Sequence, residues 1–438
     1  MNVSHIQLIK FTGPLALAIG ALPFSIVVCH IGLAMFSIAW ILDGKWKEKW
    51  ETILDNYIVV IFFLFFLLHV FGIVYSQDKH IAWFNLEKKI SLLLLPIMLA
   101  SIKLDKEDVR KLLHVFIAVC IAATVICLWA AFRKTNSASP TFNFDSYSNS
   151  TFYALNSSAS SMWMYFSYIE LASGIGIHPA YLSLYIVFCI FLLIYFYSNS
   201  FATFKLVNKI LLLTLLVYLS IFVLFLSTRI MILGFLIISA YGLNQFLKTT
   251  PRLISWIISI SVVALFLSIL YLNPVSRFRN YQEIITTWPY LKPGLQSQST
   301  TIRASLWSTS IHSLPGINWF IGTGTGDVQH LISETSKRTN ITNVLGTYDP
   351  HNQYLQTLLG LGLLGLGTLI ICFVWPTFVS YQTGNILYIG FIFLFSVLCL
   401  TETAMELQKG IVFYSLFSSL LLFQYHPIQL KKVSSSKS

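Results

Sequence analysis

Charge is scarce in this chain. Asp, Glu, Lys and Arg make up only 10% of its 438 residues, and just 17 are acidic, whereas soluble globular chains carry about 25% charged residues. So few charges cannot cover a water-facing surface. The six cysteines all lie inside apolar runs without C-x-x-C spacing, which argues against a disulfide framework or a thiolate zinc site. Neither H-E-x-x-H nor D-x-D occurs, and no acidic cluster marks a metal site, so no metal or other cofactor is expected. A cleavable leader is not expected either, because the first apolar run is long and no small-residue cleavage site follows it.

What the chain has instead is apolar length. Hydrophobic residues reach 56%, mean hydropathy is +0.73, and several runs match the length of a membrane crossing. The fold class expected is all-α: a polytopic integral membrane protein of about twelve transmembrane helices. These lie near 7–24, 25–42, 56–76, 88–102, 109–132, 179–198, 208–226, 229–247, 253–272, 352–376, 384–402 and 409–425. The break "LPFS" between the first two is either a kink or a boundary. The 35 Phe, 21 Tyr and 11 Trp suit lipid-facing and interfacial positions.

The formal net charge of +11 suits topology setting and contact with anionic membrane lipid rather than nucleic acid. With both termini in the cytoplasm, the inside segments hold Lys10, Lys45, Lys47, Lys49, Lys103, Lys106, Arg110, Lys111, Lys205, Lys209, Lys248, Arg252, Lys431, Lys432 and Lys437. Their density is more than about twice that outside, in the sense of the positive-inside rule. Residues 1–273 would then form helices 1–9, residues 274–350 an outer loop with short helices, 351–426 helices 10–12, and 427–438 a cytoplasmic tail.

The unusual polar groups gather on the outer side. Arg229, in "LFLSTRIMILGF", opens a span; it is either an interface anchor or part of an anion site. Arg303 lies near the start of an expected surface helix over 301–313. The loop "GTGTGD" at 322–327 either exposes N–H groups to an anion or is a plain tight turn. In "YDPHNQYLQTLLGLGLLG", Pro350 should place His351 and Asn352 in the first turn of a span. There the helix end disfavours a second proton on the imidazole, as suits a general base; a plain helix cap is the alternative. Gly360, Gly362 and Gly365 fit G-x-G-x-x-G, but no βαβ unit surrounds them. They are read as small residues where a neighbouring helix approaches. Two arginines and a titratable base on one face suggest metal-independent chemistry on a phosphate-bearing substrate.

"STRIMILGF" at 227–235, "RASLW" at 303–307, "GTGTGD" at 322–327 and "HNQYLQTLLGLGLLG" at 351–365 resemble the O-antigen ligase and O-antigen polymerase superfamily. The resemblance implies a GT-C-like membrane glycosyltransferase with a long periplasmic loop. Its donor would be a glycan on undecaprenyl diphosphate, and its acceptor a sugar hydroxyl of lipid A–core. Arg229 and Arg303 would bind the diphosphate, and His351 would deprotonate the acceptor in an inverting displacement. Further candidate contacts are Asn352, His178, Tyr181, Lys89, Arg338 and Glu402, the last as a group orienting an Arg or His. The rivals are a polymerase of lipid-linked repeats, a protein oligosaccharyltransferase and a transporter or flippase. A transporter should show internal repeats and helices broken at mid-membrane.

Overall fold

In the computed structural model, described residues are 3–137, 163–197, 203–247, 268, 271–272, 299–314, 317–339 and 349–423. The ninth expected span, 253–272, lies almost wholly outside them. Among the described residues the protein is helical, with one isolated bridge, Asn318 to Gly322, and no strand.

Helices α1 (Val3–Ala21) and α2 (Ile26–Leu42) pack against each other as a hairpin. Ser25 caps α2 in an extended conformation, its hydroxyl accepting from Val28 N at 3.4 Å, so "LPFS" separates two helices. A bend of 113° leads into the short α3 (Trp46–Leu54). After α4 (Tyr57–Tyr75) comes α5 (Lys79–Lys88), ahead of the expected span 88–102, and past Lys89 α6 (Ile90–Ala100) lies inside that span. An eleven-residue α6 is about 16 Å long, far short of a hydrocarbon core of about 30 Å. The helix stands where a span was expected but is too short to cross the membrane by itself.

Next come α7 (Lys106–Ser137), the short α8 (Tyr168–Ala172), α9 (Pro179–Tyr197), α10 (Leu206–Leu226) and α11 (Arg229–Leu247). Every residue of α9 from Pro179 to Ile194 is buried. It is apolar on all faces because helices surround it: α7, α10, α11 and α15 (Ile386–Leu398) pack on it. By length and composition, five described helices can cross a membrane, or six if α2 and α3 count as one span. With the shorter apolar helices they make a polytopic membrane protein, though the described residues do not fix twelve spans.

Helices α12 (Ser299–Ser313) and α13 (Val328–Arg338) form a small cap. Leu306, Ile317, Val328 and Ile332 pack with Leu359 of α14 (Gln353–Gln382). The expected straight span 352–376 is corrected here. At Gly362 (φ 63°, ψ −161°) the helix folds back on itself. The rings of Tyr354 and Phe373 lie 6.3 Å apart, where an unbroken helix would hold residues nineteen positions apart at about 28 Å.

The backbone groups freed at the fold are taken up by the loop before α13, not by a neighbouring helix. Leu363 N donates to Trp319 O (2.8 Å) and Leu364 N to Phe320 O (3.2 Å), while Thr323 N and Gly324 N donate to Leu359 O and Gly360 O. A Cβ on Gly362 would stand 2.4 Å from Phe320 O, and one on Gly322 would stand 2.6 Å from Gly360 O. The glycines of both motifs are thus the condition for two backbones to interlock.

Beyond α14, α15 and α16 (Gln408–Leu422) are only 13 and 15 residues long. At 1.5 Å per residue they rise about 20 and 22 Å. The turn 399–407 joining them therefore sits in a recess of the bundle, beside His69, six residues short of the end of α4.

Candidate functional site

Three stretches of chain, that turn among them, meet at one site. The first is the approach to α14. Asn352 is the N-cap, its Oδ1 accepting from Leu355 N (3.0 Å) and its Nδ2 donating to Leu400 O (3.0 Å). Its amide is thus committed to holding the helix and the turn. His351 precedes the cap with φ +46°, outside the first helical turn where the sequence reading had put it. Asp349 anchors this left-handed conformation by accepting from His351 N (2.9 Å) and from the Thr403 hydroxyl (2.7 Å).

The second is the turn itself. Gln353 N donates to Cys399 O (2.9 Å), and Gln353 Oε1 accepts from Met405 N (2.8 Å). Glu402 is thereby held with 7% of its side chain exposed. The third is the first part of α12, whose Arg303 reaches across: its Nη2 donates to Glu402 Oε1 at 2.6 Å. The other oxygen, Oε2, stands 3.5 Å from His351 Nδ1, and Asp349 Oδ1 stands 3.7 Å from the same nitrogen. These two contacts are electrostatic: both are too long for strong hydrogen bonds, and His351 Nδ1 has no hydrogen-bond partner among the described residues.

Glu402 is therefore the hinge of an Arg303–Glu402–His351 chain. Burial pushes the Glu402 carboxyl up, but His351, Arg303 and His178 together bring it below the usual carboxylate value. The adjacent Glu402 carboxylate raises His351, against burial; Asp349 adds to the rise and Arg303 opposes it. The helix end was expected to keep this imidazole short of protons. The two carboxylates outweigh it, because a residue ahead of the cap lies off the helix's end.

Beside this chain is a cavity of about 210 Å³ lined by His178, Arg229, Arg303, Trp307, Glu402 and others. The tight turn between α10 and α11 presents Arg229: Ser227 adopts φ +48°, and the Thr228 hydroxyl donates to Ser183 Oγ of α9 at 2.6 Å. Arg229 is half-buried there. His178 is exposed at the start of α9, its Nδ1 accepting from Ala180 N (3.4 Å). Trp307, one turn beyond Arg303, lines the same space. Its indole N–H has no partner among the described residues. His351 does not line the cavity; it meets it through Glu402.

The remaining candidates separate. Lys89 is 1% exposed and donates to Glu406 Oε2 at 2.6 Å, with Gln353 Nε2 3.4 Å from the other oxygen. Burial raises Glu406, and Lys89 more than reverses this. A lysine so enclosed cannot reach a phosphate or a lipid head group, which corrects that assignment. Tyr181 is buried, and its hydroxyl has no partner among the described residues. Arg338 stands exposed at the end of α13 and does not line the cavity.

"GTGTGD" is a clamp rather than an anion cradle. Besides Thr323 N and Gly324 N, Gly322 N donates to Asn318 O and Gly326 N to Ser76 Oγ. The Asp327 carboxylate accepts from Gln77 N and Asp78 N. Those donors are committed to the protein. Trp307, in "RASLW", and Asp349 and Gln353, each two residues from His351, stand in motifs that the sequence offers without a role for any of them, whereas Glu406 leaves no local signal.

Residues 214–370 match the family model Wzy_C, described as O-Antigen ligase. No curated protein matches the chain significantly. The matched stretch includes Arg229, Arg303, the clamp and His351, and ends before Glu402.

Proposed function

From the match of residues 214–370 to the O-Antigen ligase family model, we propose that the chain transfers a polysaccharide from undecaprenyl diphosphate to a sugar hydroxyl of lipid A–core. The site would face the periplasm from the inner membrane, with both termini cytoplasmic. The observation that carries this reading is Glu402, bonded to Arg303 on one oxygen and facing His351 on the other, beside a cavity that Arg229 also lines.

In this mechanism Arg229 and the free edge of the Arg303 guanidinium bind diphosphate oxygens. Glu402 and Asp349 hold the Nδ1 side of His351, leaving Nε2 to accept the acceptor hydroxyl's proton. The acceptor oxygen bonds to the anomeric carbon from the face opposite the leaving group. The bond from that carbon to the diphosphate oxygen breaks, and its electron pair leaves on undecaprenyl diphosphate. One displacement inverts the centre. The imidazolium formed lies against two carboxylates, which stabilise it as it forms.

The test is the lipopolysaccharide gel profile of the native host lacking the gene, with wild type or His351→Ala restored and membrane insertion checked. Rough core without a ladder, long glycan held on undecaprenyl diphosphate and no rescue by His351→Ala are expected. Core carrying a single repeat would mean a polymerase of lipid-linked repeats. An unchanged ladder would point to a protein acceptor or a transporter.

A further inference from the structure

The tip of the cap loop, Trp319–Phe320–Ile321, carries three large apolar side chains that are 48%, 67% and 38% exposed. Such a tip in water would be costly. Its surroundings indicate a different solvent. Tyr75, the last residue of the membrane-crossing α4, donates its hydroxyl to Ile321 O. Trp319 and Phe320 accept from Leu363 and Leu364, the first residues of the second half of α14. From residue 363 to Gln382 that half is twenty residues, about 30 Å, which matches a hydrocarbon core. Leu363, Leu364, Phe71 and Val74 are themselves exposed. The loop tip is continuous with the lipid-facing surface of two spans, at their end nearest the site.

The backbone supports the same reading. Phe320 N and Ile321 N donate to Asn318 Oδ1 (3.0 and 3.3 Å), and Gly322 N donates to Asn318 O (2.7 Å). The carbonyls of Trp319, Phe320 and Ile321 are taken by Leu363, Leu364 and Tyr75. A water-facing turn does not need its polar groups paired inside the protein. Irregular backbone at membrane depth does, because lipid offers no partners. Together, exposed apolar side chains and an internally paired backbone are what a lipid-seated turn requires.

We propose that Trp319–Phe320–Ile321 is a wedge seated among the acyl chains of the bilayer leaflet on the site side, at the boundary with the head groups. Aromatic side chains favour that depth. The wedge fixes the height of the α12–α13 cap, and so of Arg303, relative to the lipid surface. It stands independently of the glycosyl-transfer reading.

The test uses the full chain in proteoliposomes. A spin label is placed at Phe320→Cys, with His330→Cys on exposed α13 as the aqueous reference and Val374→Cys on α14 as the lipid reference. All six native cysteines are buried, so the reporter alone should label. The label at 320 should be relaxed by oxygen and protected from a water-soluble nickel chelate, as at 374 and unlike at 330. Accessibility matching 330 would overturn the wedge. Should Phe320→Cys fold poorly, unaltered protein is footprinted with a lipid-borne carbene and with hydroxyl radicals. Carbene adducts on Trp319 and Phe320 are expected. Radical adducts instead, or no adducts of either kind because another protein chain covers the tip, would refute the proposal.

Discussion

Glu402→Gln is the substitution on which the proposed chemistry depends most directly. Gln keeps the shape and removes the charge lying 2.6 Å from Arg303 and 3.5 Å from His351 Nδ1. At an effective dielectric constant of about 20, unit charges at that second distance interact by roughly 5 kcal/mol. A third of the His351 side chain is exposed, so water screens about half of this, leaving about 2–3 kcal/mol of support for the forming imidazolium. At 1.36 kcal/mol per decade, kcat should fall roughly 10²-fold. The donor KM should not rise, because Arg303 is released rather than lost. The acid limb of the pH–rate profile should move to lower pH, since the carboxylate that raises His351 has gone. Initial rates of glycan transfer in proteoliposomes, taken across the neutral range, give all three readings. Glu402→Asp should recover part of the rate. An unchanged kcat with an unmoved acid limb, in a variant that melts normally, would refute the assignment of Glu402 to His351.

Other consequences are independent of that experiment. Arg303→Lys keeps the charge but loses the fork that serves Glu402 and phosphate together; the donor KM should rise about tenfold, roughly 1.4 kcal/mol. Lys89→Met leaves Glu406 buried without its cation, and melting in detergent should show a loss of about 3–5 kcal/mol. Adding Glu406→Gln should restore most of the stability and leave donor KM unchanged, as fits a structural pair. Gly362→Ala places a Cβ 2.4 Å from Phe320 O at φ +63°, so strain alone should cost about 1–3 kcal/mol, again read by melting. The raised pKa of His351 contributes stability that is complete below its unfolded value and lost as pH rises through the folded one. The lowered Glu402 does the reverse, losing its contribution as pH falls through its folded value. Thermal stability should therefore show an alkaline step that His351→Gln removes.

Hydropathy made the membrane class, the helices around residues 57–75, 179–197 and 206–226, and the surface helix of Arg303 legible in the sequence, because each is a local property of a run. The fold at Gly362 was not. A glycine where a helix reverses reads the same as one where a neighbouring helix packs, and only the docked backbone of 319–324 distinguishes them. The helix start at Lys89 was legible, but the lysine's partner, Glu406, 317 residues away, was not. His351 was expected inside the helix, about two residues too far along, because Asn352 takes the cap and the helix starts at Gln353. Glu402 was visible as a rare acid among apolar residues. Its two partners, 99 and 51 residues upstream in the chain, were not.

The turn 399–407 also bears on how much of the chain the site needs. Its two carboxylates, four residues apart, face different parts of the protein: Glu402 faces Arg303 and His351, and Glu406 faces Lys89 near the start of α6. Without Glu402, the cationic Arg303 would stand beside an imidazole that must accept a proton, and the field would oppose the reaction. Glu406 holds the turn to the N-terminal half through Lys89, and to α14 through Gln353. The family match ends at residue 370. In the proposed mechanism it therefore encloses the arginines and the base, but not the carboxylate that makes the base work beside them. Transplanting residues 214–370 into another bundle should carry phosphate affinity without turnover unless an acid is supplied at the position of Glu402.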